Sequence, residues 1–145
     1  PLRPHVETEA DKYSAMKAAT VALATSGTVS TELALAGAPM VIAYRIDGLS
    51  YRLMKPLVTA RHVTLFNVAA DERIAPELIQ NDATPEKLAM AVARLLNDPA
   101  AAADQARRQT AALDLMGRGG PDPSELAANA VLGVIAGQVP AKSAG

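Results

Sequence analysis

The sequence contains no cysteine and no tryptophan. The first lack excludes disulfide frameworks, thiolate metal sites and thiol catalysis, and it suits a reducing compartment such as the cytoplasm. Aromatic residues are also scarce, limited to Tyr13, Tyr44, Tyr51 and Phe66. So few ring faces rule out the stacking platforms that grip single-stranded nucleic acid. Neither charge sign dominates, since 14 basic residues meet 15 acidic ones for a formal net charge of −1, and no nucleic-acid partner is expected. No apolar run approaches the roughly 20 residues of a membrane span, and the opening PLRPHVETEADK has no apolar signal segment. What the chain does have is apolar content: half of its 145 residues are hydrophobic, enough for one folded core without crosslinks.

Two short apolar runs bounded by turn residues, 20–25 (TVALAT) and 39–44 (PMVIAY), read as strands buried on both faces, and 62–66 (HVTLF) reads the same way. Residues 4–7 offer a further strand. Helical stretches lie at 10–19, 28–37 and 49–60. Strand and helix therefore alternate at the spacing of βαβ units, which predicts an α/β fold, a partial Rossmann-like parallel sheet with flanking helices. The last third differs. Thr84-Pro85, Asp98-Pro99 and Asp122-Pro123 each pair an N-cap residue with proline at the first helical position, which predicts three successive helices. Leu88, Val92 and Leu95 form an apolar stripe on the first, and Glu125 stands three residues after Asp122 as in a capping box. The segment 117–121 (GRGGP) separates the second helix from the third. We divide the chain into a partial Rossmann-like domain at 1–120 and a C-terminal helix and tail at 121–145, a helical C-terminal segment whose Ala127, Val131, Val134 and Ile135 form an apolar stripe.

Chemistry concentrates at residues 24–32 (ATSGTVSTE), where an expected strand runs into a small, hydroxyl-rich turn and then a helix. The first amides of a helix lack internal partners and carry partial positive charge, while Gly27 lets a ligand oxygen approach the backbone. Ser26 and Thr28 add hydroxyl donors. Glu32, one turn after Thr28, is placed to accept from ribose hydroxyls, and Val29, Leu33 and Ala36 form the adjacent buried stripe. The same residues also fit a plain N-cap and a solvated glutamate, because short glycine motifs recur for structural reasons.

The longer run 26–45 (SGTVSTELALAGAPMVIAYR) resembles lipid-A-disaccharide synthases, in which SGT, a glutamate, G-x-PM and a closing YR recur in this order. Asn67 and 76–80 (PELIQ) resemble that family's Asn-containing loop and PELLQ segment. The family usually places proline before the asparagine and Gly-Arg-Glu after it. Here Phe66 precedes Asn67 and the later residues are Asp71-Glu72-Arg73, so no role passes to Glu72 or Arg73. The resemblance implies a two-domain B-type glycosyltransferase that joins UDP-2,3-diacylglucosamine to 2,3-diacylglucosamine 1-phosphate, giving lipid A disaccharide 1-phosphate and UDP. It implies Ser26, Gly27 and Thr28 at the diphosphate, Glu32 at the ribose, and Asn67, Glu77 and Gln80 at the donor pocket or domain cleft.

On this reading the chain is the C-terminal nucleotide-sugar-binding part. An N-terminal domain carrying acceptor site and general base, and a Gly-Ser-Arg phosphate loop, are expected outside it, and the chain alone is expected to be inactive. We assign no catalytic residue, no metal ligand and no cofactor, since no DxD pair or carboxylate cluster is present and fixed amides can assist UDP departure. His5 and His62 receive no role. The segment 45–62 carries Arg45, Arg52, Lys55 and Arg61 among Leu49, Leu53, Met54, Leu57 and Val58, with Pro56 interrupting its helix. That composition suits contact with an anionic membrane surface, as a peripheral attachment on the cytoplasmic face of the inner membrane, alongside its use as an ordinary packed helix. Other readings of the same motif are another B-type UDP-sugar transferase, a UDP-sugar epimerase, or a non-catalytic Rossmann-like interaction module.

Overall fold

The computed structural model describes residues 4–47 and 61–136. Three strands form one parallel sheet, β1 (Ala22–Ala24), β2 (Met40–Tyr44) and β3 (Glu77–Ile79), in the order β1-β2-β3. Pairing sets Ala24 beside Ile42, and Ile42 beside Glu77, so these three residues form one row across the sheet. Around the sheet lie α1 (Lys12–Ala18), α2 (Thr28–Leu35), α3 (Leu65–Ala70), α4 (Pro85–Asn97), α5 (Pro99–Leu115) and α6 (Pro123–Ile135). The α/β class and the flanking helices are as the alternation predicts.

β2 is the centre because its residues alternate between two cores, as the two-residue period of a strand requires. Met40 and Ile42 join Leu33 and Ala34 of α2, Phe66 of α3, and Ala112 and Leu113 of α5 on one face. Val41 meets Leu95 and Ala102 on the other, with Leu88 and Val92 packed alongside, so the stripe read from α4 does face the sheet. Full burial of a side chain such as Phe66 or Met40 stabilises by about 1.5–3 kcal/mol. α5 contributes to both cores, Ala102 to one and Ala112 to the other, and therefore passes around the amino ends of the strands. Gln105 fastens it there. Its side chain accepts from the Met40 amide at 2.8 Å and donates to the carbonyls of Met40 and Ile74 at 3.0 and 3.1 Å.

The three proline-led helices begin as expected. Thr84 accepts from the Lys87 amide, Asp98 from Ala101 and Asp122 from Ser124, each cap contributing about 1 kcal/mol. No residue of α6 is buried, and Val131, Val134 and Ile135 of its apolar stripe are exposed.

Four expectations need correction. Residues 62–66 are not a strand: Thr64 is the extended residue before α3, and Leu65 and Phe66 open that helix. The third strand is Glu77–Ile79 instead. Residues 4–7 form no strand. β1 is not covered on both faces, since Leu23 is 55% exposed, and the buried stripe of α2 is Ser30, Leu33 and Ala34, with Val29 and Ala36 only half-buried. The expected helix at 49–60, with Arg52, Lys55 and Met54, lies outside the described residues.

Candidate nucleotide site

Parallel strands place their exits at one end of the sheet, and crevices at that end are where α/β sheets bind ligands. β1 leaves through Thr25, Ser26 and Gly27 into α2. Gly27 has φ 139° and ψ −160°, a conformation essentially restricted to glycine. Its carbonyl accepts from the Ser30 amide at 3.2 Å and from the Ser30 hydroxyl at 2.6 Å. No side chain caps α2. The amides at its start, Thr28 and Val29, thus stand at the positive end of the helix with the Thr28 hydroxyl beside them.

Ser26 is used differently from the expectation of a free donor. Its hydroxyl donates to the Val63 carbonyl at 2.7 Å. Glu77 takes the other polar group of that same residue, its Oε1 accepting from the Val63 amide at 3.1 Å and from the Thr64 amide at 2.8 Å. One peptide segment therefore joins Ser26 at the exit of β1 to Glu77 at the start of β3. His62 Nδ1 lies 3.6 Å from the second Glu77 oxygen, a neighbour that sequence reading gave no role. Two bonds to a carboxylate from otherwise stranded amides explain why an acid is tolerated at 7% exposure.

Glu32, one turn into α2, is neither solvated nor free. Lys12 Nζ at 3.2 Å and the Tyr13 hydroxyl at 3.1 Å both donate to its Oε1. The Lys12 ammonium also contacts Glu9 at 2.7 Å and lies 4.8 Å from the Tyr13 ring centre. Hydrogen bonds to Glu9 first and Glu32 second hold the Lys12 pKa above its ordinary value. This clamp joins residues 20 and 19 positions apart, and no local motif announces it.

The remaining two candidates occupy other places. Asn67 sits inside α3, fully buried, where its amide donates to the Ala75 carbonyl at 3.0 Å and accepts from the Ile74 and Ala75 amides at 3.0 and 3.1 Å. It shapes the approach to β3. Gln80 follows β3 in a short 3-10 turn, with φ 52°, and bonds to both backbone groups of Ile46 at the exit of β2. The structure thus connects Ser26, Gly27, Thr28 and Glu77 at one place with Glu32 one turn deeper, and records no bond from Asn67 or Gln80 to that turn. Among the described residues no three His, Asp or Glu side chains gather as metal ligands do.

Asp71, which ends α3, has a left-handed backbone, φ 47°, that glycine adopts freely. A family model described as Lipid-A-disaccharide synthetase matches residues 2–131. The chain is 49% identical over 131 residues to the lipid-A-disaccharide synthase of Rhodospirillum centenum, covering 90% of this chain and 33% of that protein. It is 44% identical over 127 residues to that of Paramagnetospirillum magneticum, covering 86% and 33%. A third, from Ruegeria pomeroyi, is 46% identical over 121 residues, covering 83% and 29%. The chain spans about a third of the length of these relatives. A family model that matches residues 2–131, together with identities of 44–49% to three such synthases over most of this chain, places the chain in the lipid-A-disaccharide synthase family.

Proposed function

We propose that this chain holds the nucleotide of a UDP-sugar donor at the β1–α2 turn, within a glycosyltransferase that joins UDP-2,3-diacylglucosamine to 2,3-diacylglucosamine 1-phosphate. The observation that carries the reading is the turn itself: a glycine-only backbone at Gly27, a helix start without a side-chain cap, and a clamped carboxylate one turn deeper. The diphosphate lies against the amides of Thr28 and Val29 and the Thr28 hydroxyl, where fixed dipoles stabilise the charge that develops as UDP leaves. Glu32 accepts from the ribose through Oε2, while Lys12 and Tyr13 keep Oε1 in place. Ser26 and Glu77 act through Val63 to hold the floor of the turn, and Asn67 and Gln80 fix the segments around it.

Acceptor binding and the general base belong to parts of the enzyme beyond this chain, so the chain by itself makes no disaccharide. Residues 1–120 form the nucleotide-sugar unit, and 121–145 an appended helix and tail whose uncovered apolar stripe packs on that remainder. No metal or cofactor is needed in this scheme. Among the described residues no helix is long and apolar enough to cross a membrane. The basic segment 45–62 supplies peripheral contact with anionic lipid on the cytoplasmic face of the inner membrane, which brings the enzyme to its acylated substrates.

The deciding experiment is an NMR titration of the folded chain with UDP. Shifts confined to the amides of residues 25–32 and their surroundings are expected. A saturating titration that leaves those amides unmoved removes the turn as the nucleotide site.

A further inference from the structure

Three guanidinium groups line a second cleft, beside the amino ends of β2 and β3. Its volume is about 370 Å³, and it lies between α4, the first turns of α5 and the segment leading into β3, with Arg73, Arg94, Arg108 and Asp104 on its walls. Gln105, also in the wall, bonds to Met40, the first residue of β2, and Pro76 immediately precedes β3. Both mark the amino ends of β2 and β3. The Gly27 turn stands at the carboxyl end of β1 and contributes no residue to the cleft wall, which approaches the nucleotide site only where Arg73 donates to the Glu77 carbonyl.

The charges in it are only partly matched. Arg108 pairs with Glu72 and approaches Asp104 at 3.7 Å, and these contacts, Glu72 foremost, hold its pKa above the ordinary value. Asp104 is shared, since Arg107 also pairs with it. Arg73 donates to the Glu77 carbonyl at 2.5 Å and acts on Asp82 only at longer range. Arg94 has no carboxylate within 4 Å among the described residues. Two of the three cations thus face the cleft without an ion-pair partner, and like charges sharing one concave wall repel. An oxyanion with several acceptor oxygens relieves that repulsion, and planar guanidinium forks suit it geometrically.

The volume narrows the choice of ligand. At about 370 Å³ the cleft is larger than a bare phosphate fills. Ile74, Pro76 and Leu95 give the cleft an apolar floor, which suits a carbon-bearing group attached to the phosphate. We infer that this cleft is an anion site for a phosphate monoester, with Arg94 and Arg73 as its principal ligands and Arg108, oriented by Asp104 and Glu72, as the third. The monoester is either a free sugar phosphate or the headgroup of a lipid.

The test is a titration of the full chain with inorganic phosphate, with glucose 1-phosphate, and with phosphatidylcholine vesicles containing phosphatidic acid. It is read by NMR at the amides of Arg94, Leu95 and residues 101–108, none of which reports on the Gly27 turn. Glucose 1-phosphate is expected to move these amides more tightly than inorganic phosphate does. Arg94→Gln should weaken binding about tenfold or more, Arg94→Lys by less, and Arg118→Gln, on a surface ion pair with Asp114, not at all. A response to phosphatidic acid vesicles without one to glucose 1-phosphate assigns the monoester to a lipid. The inference is overturned if no probe moves these amides, if inorganic phosphate binds as tightly as either ester, or if Arg94→Gln binds like the parent.

Discussion

Gln80 presents both ends of its carboxamide to the two backbone groups of Ile46, Oε1 accepting from the amide at 2.8 Å and Nε2 donating to the carbonyl at 3.1 Å. The exit of β2 is thereby held to the exit of β3 by a side chain that is 8% exposed. Gln80→Glu keeps the acceptor but sets a carboxylate oxygen against the Ile46 carbonyl. Burial beside that carbonyl raises the introduced carboxyl's pKa in the folded state. The variant is therefore less stable than the parent at neutral pH, and the deficit shrinks as pH falls through the folded pKa, where the protonated carboxyl donates to Ile46. Urea unfolding of both proteins across pH checks this, and a deficit that does not change with pH contradicts it.

Glu77→Ala strands the Val63 and Thr64 amides that its carboxylate satisfies, and should cost about 2–4 kcal/mol in denaturant unfolding. Glu77→Gln retains one acceptor oxygen and should lose less than half as much. Equal losses would mean that charge rather than the pair of hydrogen bonds governs the position.

At Gly27 an added Cβ meets nothing within 4 Å, so Gly27→Ala isolates backbone strain from steric conflict. We expect a loss of about 1–3 kcal/mol in stability, together with weaker UDP binding by calorimetry. A variant as stable as the parent would be incompatible with φ 139°.

Asp71 ends α3 in the left-handed region, with φ 47°, where a side chain is strained and glycine is not. Asp71→Gly should therefore raise stability by about 0.5–1 kcal/mol, after allowing for the greater freedom of glycine in the unfolded chain. Thermal unfolding measures it, and a lower midpoint would show that the Asp71 side chain contributes more than its strain costs.

Glu32→Ala should weaken UDP binding by about 1–3 kcal/mol if the carboxylate accepts from the ribose, and should leave pyrophosphate binding unchanged. Calorimetry with the two ligands separates the roles. Equal weakening of both would shift Glu32 from ribose contact to support of the turn.

Much of the fold was legible because its signals are local. The caps Thr84, Asp98 and Asp122 combine an acceptor with a following proline, and the structure begins α4, α5 and α6 there. The Gly27 turn was equally visible, since strand, glycine and helix follow one another directly. Strand assignment failed where periodicity is ambiguous. Residues 62–66 are apolar enough for a strand, yet Thr64 turns the chain into α3, and of the run only Thr64 and Phe66 are buried. β3 was hidden by its own acid, because a glutamate in a buried strand makes sense only once the Val63 and Thr64 amides are known to face it. The Lys12 and Tyr13 clamp on Glu32 was illegible for the same reason: its partners meet across the fold, and neither belongs to a motif.

Among the described residues β1 has a strand partner on one side only. Its other rim offers backbone donors and acceptors to whatever arrives, with Leu23 exposed at the middle of the strand. Such a rim is a template on which a second copy can add its own strand and extend the sheet from molecule to molecule. The formal charge of −1 supplies almost no repulsion to oppose that growth. A rim three residues long thus gives concentrated solutions of this chain by itself one route to growth from molecule to molecule.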